Sequence, residues 1–172
     1  MIHTYAAYKT HFWTKDLHSQ KVEGWKQIYQ VKGQDKKKRK TSLAILISDK
    51  IDFQRRAIKR DPEAHFIILK GRSQQDDINI VNIYVPNIGA PKYINKILED
   101  FKEDIDSNTI IVGHVNTPQS KMDRSSKQKI KKDIVSLNNT LDEMHLIDMY
   151  RAFHPREAKY TSFQVYVELF QR

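Results

Sequence analysis

A chain of 172 residues can form one domain with a real core, spanning 1–172, and is too short to make two the first expectation. Its 39% hydrophobic and 30% charged residues describe a globular protein, and a net charge of +9 suits a polyanionic partner such as nucleic acid as well as it suits a solvated basic surface. Cysteine is absent, which excludes disulfides and thiolate metal sites, and "LAILI" and "FIIL" are far too short to span a bilayer.

"MIHTYAAYKTHFW" has no apolar stretch of signal-peptide type, so a nuclear or cytoplasmic protein without membrane attachment is expected. "GWKQIYQVKG" (24–33) reads as a short strand stopped by Gly33. The five cations at 36–40 that follow read as a loop, either a solvated hairpin turn or a localisation or phosphate-contacting element.

"SLAILIS" (42–48), "HFIILK" (65–70) and "INIVNIYVP" (78–86) are apolar runs of strand length, and three in succession suggest an antiparallel start. Strand alternation puts Ile78, Ile80, Asn82 and Tyr84 on one face of the third run, with Val81, Ile83 and Val85 on the other. Pro86 ends that run, leaving Tyr84 at a strand's end beside a loop.

Ile94, Ile97, Leu98, Phe101 and Ile105 then recur at helical spacing after the turn residues of "NIGAP". "NTIIVGH" is the next strand, and Ile130, Ile134, Leu137, Leu141 and Met144 give a second amphipathic helix. A last strand is expected over 159–170. Strands followed by helix, strand, helix and strand imply a layered α/β or α+β arrangement with a mixed sheet.

Among groups that could carry chemistry, no two of the seven histidines have the spacing of a zinc-protease pair, and there is no Walker loop and no GxGxxG. What remains is Tyr84 at its strand end and a strand-to-loop turn, "VGHVNTP" (112–118), carrying His114 and Asn116. Strand-end loops are common places for sites, and Asn116 in such a turn can equally bond nearby backbone.

"INIVNIYVPNIGAPKYI", "GHVNTPQSKMDRSSKQKIKKDI" and "LIDMYRAFHPREAKYTSF" together resemble the endonuclease domain of LINE-type non-LTR retrotransposon proteins, in the exonuclease-endonuclease-phosphatase superfamily. The resemblance runs from about "KTHFWTKD" to "YTSF". It implies a DNase I-like, four-layer sandwich of two mixed β-sheets flanked by helices, here incomplete at both ends, and an ancestry in Mg²⁺-dependent DNA nicking.

Where the family has a metal-binding glutamate in "QETH", this chain reads "YKTH" and puts Lys9 there. An ammonium cannot coordinate Mg²⁺, which takes oxygen ligands, and its charge repels the ion. The family's "GDFNTP" becomes "GHVNTP", so His114 replaces an aspartate that helps activate water. Imidazole can act as a base near neutral pH, yet the exchange removes an anion from a site organised around cations.

The family's terminal Ser-Asp-His motif does not occur in the sequence. The resemblance retains Tyr84 as a phosphate-contacting residue and Asn116 as an orienting one, with Arg124 and Thr161 as nucleic-acid contacts. The reading is an endonuclease-like domain without cleavage activity and without a resident cofactor, still able to bind DNA. Two alternatives stay open: an active enzyme using Mg²⁺, and a degenerate copy with no retained role.

Overall fold

The computed structural model describes residues 5–10, 23–32, 42–85, 89–114, 132–148 and 169–171. They group into two compact units, Met1–Tyr84 and Val85–Arg172.

In the first unit, strands β1 (Tyr5–Thr10), β2 (Trp25–Lys32) and β3 (Ser42–Ser48) form an antiparallel sheet in the order β1-β3-β2. β3 is central because it is uniformly apolar: Leu43, Ala44, Ile45, Leu46 and Ile47 are all buried, as a strand covered on both faces requires. The outer strands are mixed in polarity. Strands β4 (Phe53–Arg60), β5 (Phe66–Ser73) and β6 (Asp76–Tyr84) follow as an antiparallel meander.

The meander packs its inner face on the β1-β3-β2 sheet. Ile67, Leu69 and Ile80 from the meander join Val31, Leu43, Ile45 and Ile47 in one apolar cluster, with Ile78 and Tyr84 packed against it. The face expected for β6 is therefore the inner one. Its polar member is Asn82, 3% exposed, whose amide Nδ2 donates to the carbonyl oxygen of Ala44 at 3.1 Å. A buried polar group needs such a partner, and here the partner ties β6 to β3.

Glycine is required at one point of this core. A Cβ on Gly71 would lie 2.2 Å from Phe53 Cζ and 2.7 Å from the backbone oxygen of Gln54. Phe53 lies across the gap that Gly71 leaves, closing the β4 end of the cluster. Tyr29 of β2 packs on the same cluster and donates its hydroxyl to Gln27 Oε1. Burial pushes the Tyr29 phenol up from its ordinary pKa, and the Arg55 guanidinium nearby works the other way.

The second unit holds helices α1 (Ala90–Asp100) and α2 (Lys132–Glu143) and strands β7 (Thr109–His114), β8 (Leu146–Asp148) and β9 (Leu169–Gln171). β9 pairs antiparallel with both β7 and β8. Gly89, at φ 77°, opens α1, and Pro91 sits in the first turn, where a missing N–H costs nothing. Ile94, Ile97 and Leu98 of α1 are buried, as are Ile134, Leu137 and Leu141 of α2, as their spacing foretold. The helices touch through Asn95 Nδ2, which donates to Ser136 Oγ at 3.0 Å.

The elements expected from sequence are present with small shifts: the strand over 24–33 is Trp25–Lys32, and that over 65–70 runs to Ser73. Of the last expected strand, Leu169 and Phe170 are described and are strand. β4 is an addition, so the first and second apolar runs are not successive strands.

Substitutions at two positions test the packing. Gly71→Ala is expected to cost about 1–3 kcal/mol by overpacking against Phe53, read by chemical denaturation; unchanged stability would contradict the close approach. Asn82→Ala is expected to cost about 1–3 kcal/mol. Asn82→Asp should cost more at neutral pH, since a buried carboxylate then faces a carbonyl oxygen; equal or smaller loss would remove the Asn82 to Ala44 bond from the account.

Candidate functional site

Tyr84 is the last residue of β6, half-buried and packed against the core cluster. Its place is set by the turn between β4 and β5. The Tyr84 N–H donates to the His65 carbonyl at 2.7 Å. His65 is in turn held by Asp61, whose Oδ2 accepts the His65 N–H at 2.8 Å and lies 3.1 Å from Nδ1 of the ring. Glu63 Oε2 stands 3.4 Å from the same ring nitrogen.

Ala64, fully buried at φ 60°, takes a left-handed conformation between them, with its N–H on the Asp61 carbonyl. The short "DPEAH" segment therefore clamps the end of the strand that carries Tyr84. Reading the sequence as strands and loops passed over Asp61 and His65. The available signal was an aspartate four residues before a histidine, straddling a proline turn.

Lys9 lies in β1, its backbone in register with Leu43, and its neighbour Tyr8 pairs with Ala44. Asn82, two residues before Tyr84, bonds to that same Ala44. The backbone of Lys9 is thus one step along the sheet from the level at which β6 is anchored, and β1 and β6 approach each other across the core. Both residues belong to the first unit.

His114 ends β7 in the second unit. That strand is launched by an aspartate turn: Asp106 Oδ1 accepts the Asn108 N–H at 3.0 Å and the Thr109 hydroxyl at 2.8 Å, while Thr109 Oγ1 accepts the Asp106 N–H at 2.9 Å. Thr109 is wholly buried, so its hydroxyl has to be satisfied this way. Ile110, Ile111 and Val112 are buried along the strand that ends at His114. Asn116, Arg124 and Thr161, and the side chains of Lys9 and His114, lie outside the described residues.

Among the described residues, no group of three or more His, Asp or Glu is placed to hold a metal ion. Lys9, which the resemblance sets where the family has a metal-binding glutamate, offers an amine in place of the oxygen ligand that Mg²⁺ takes.

No protein-family model matches the sequence. Solved structures do match. The endonuclease domain of TRAS1, a telomere-specific non-LTR retrotransposon, superposes with a TM-score of 0.55 at 15% identity, over 84% of this chain and 67% of that one. An AP endonuclease from Archaeoglobus fulgidus gives 0.54 at 17% identity, covering 83% and 66%. The human Nocturnin catalytic domain with bound sulfate gives 0.61 at 6% identity, covering 98% and 69%.

This chain spans about two thirds of the length of each of these structures. Likeness at such low identity speaks to fold, and in that respect the expectation from sequence holds: the chain has an α+β, DNase I-like fold.

Proposed function

We propose that the chain is a retrotransposon-derived, endonuclease-like domain that binds nucleic acid and does not cleave it. The fold supports the nuclease ancestry, and one of the matched structures is itself a non-LTR retrotransposon endonuclease domain. The observation that carries the loss of cleavage is Lys9, a cation in β1 one register step from the level that anchors β6 just ahead of Tyr84.

Phosphodiester hydrolysis asks for a divalent ion to neutralise the phosphate, a base for water, and donors that hold the phosphate in line. Tyr84, on its clamped strand end, carries a phenol, a group of the kind that donates to phosphate oxygens. An ammonium in place of an acidic ligand attracts that phosphate while repelling the ion, so binding and cleavage part company. His114 in place of an acid further lowers the negative charge offered to a cation. Groups that act as a unit are not lost piecemeal, and two such replacements leave little rate.

Binding survives because phosphate contacts need only cations and donors. The net charge of +9 supplies the long-range attraction.

Incubation of purified protein with supercoiled plasmid and Mg²⁺ separates the two activities. The expected outcome is retention of plasmid in a mobility-shift assay at low salt, with no open-circular product above a mock preparation. Magnesium-dependent nicking that vanishes in Asn116→Ala would overturn this reading in favour of an active enzyme with His114 as its base.

A further inference from the structure

We propose that the neighbouring edge strands β2 and β4 form a binding face for the phosphate backbone of duplex DNA, an inference that rests on the nucleic-acid reading above. β2 is an outer strand of its sheet, and β4 pairs only with β5 among the described residues. The two edges are joined along one side of the first unit. Arg60 Nε on β4 donates to the carbonyl of Gln30 on β2 at 2.8 Å, and Arg55 on β4 stands beside Tyr29 on β2.

These strands, of eight residues each, hold Lys26, Lys32, Arg55, Arg56, Lys59 and Arg60 and not one Asp or Glu. Lys26, Arg55, Arg56, Lys59 and Arg60 are all exposed. Each strand is also bulged at a cation, where pairing slips around Lys26 in β2 and around Arg56 in β4.

Bulges and charges on an outer strand guard against edge-to-edge pairing, and charge of either sign does that work. The uniform sign is what asks for more. Like charges crowded together repel, whereas alternating signs would guard the edge without that cost. Asp77 on β6 is shared between Arg56 at 2.8 Å and Arg72 at 3.2 Å.

A polyanion relieves the repulsion and releases its own counterions as it binds. An eight-residue strand extends roughly 26 Å. That is long enough to follow roughly seven base-pair steps of about 3.4 Å. Because exposed cations offer charge and read no base, the face is suited to backbone contact without sequence preference.

The test is fluorescence anisotropy with a labelled 20-base-pair duplex, measured over a range of KCl concentrations. Lys26→Gln, Arg56→Gln and Lys59→Gln are combined in one variant. Lys92→Gln, Lys96→Gln and Lys102→Gln, at exposed positions in the second unit, make a control with the same change in net charge. The edge variant is expected to bind at least about ten-fold more weakly at low salt, its log K against log[salt] slope falling by about 0.9 for each cation engaged.

The control should keep affinity and slope close to those of the parent chain. A melting curve for each variant shows that it is folded, and single substitutions replace the triple one if it is not. If the edge variant keeps the parent's affinity and slope, or the control loses as much, this face is rejected and the nucleic-acid reading stands. If the parent chain itself fails to bind the duplex at low salt, that reading falls and the face with it.

Discussion

Among the described residues of the first unit, the buried amide of Asn82 sets how the sheets meet. Asn82 sits among apolar residues on the inner face of β6 and finds its partner in the Ala44 carbonyl of the facing sheet. An apolar cluster alone tolerates sliding, because dispersion and the hydrophobic effect are not directional. A buried amide does not, since slipping by a residue would strand a donor in a medium without water. The apolar faces of β3, β5 and β6 supply the attraction between the sheets. Asn82 supplies their register.

That register has chemical consequences. With β6 fixed against β3, the pairing of β3 with β1 carries the same level across to Tyr8 and Lys9. On the other side of Asn82, Tyr84 is held by the His65 carbonyl, and His65 by Asp61. A phenol and an ammonium therefore derive from strands locked to a common level, and the proposed loss of metal chemistry concerns a position whose backbone is well determined by its neighbours. The fold can keep its shape while its chemistry changes, because the residues that set the register are not those that would hold an ion.

Much of this was legible in the sequence where the periodicity was undisturbed. "SLAILIS" matches β3, and the alternation in "INIVNIY" places Ile78, Ile80, Asn82 and Tyr84 on the face they occupy. The two helical stripes are buried where their spacing puts them. β4 was hidden because "FQRRAIKR" is an edge strand whose cations lie in solvent, and with a bulge at Arg56 its alternation breaks in the middle. "YAAYKT" is too short and evenly mixed to announce β1.

The site was less legible, for a related reason. Asn82 carried a signal that went unused, a polar residue on a face that otherwise had to be core. The clamp of Asp61 and His65 on Tyr84 depends on strands meeting from different parts of the chain, which no local pattern encodes. The significance of Lys9 and His114 came only from the resemblance, because a lysine or a histidine in a strand is unremarkable by itself.

The proposed loss of cleavage rests on an ammonium at residue 9 denying this fold its divalent ion. Electron paramagnetic resonance with Mn²⁺, a spin-active stand-in for Mg²⁺, measures that directly on the intact chain. The account requires the free Mn²⁺ signal to fall no further than weak, non-stoichiometric binding allows, at protein concentrations up to the millimolar range. A single saturable site of one ion per chain, with micromolar affinity and sensitive to substitution at residue 9, would contradict it.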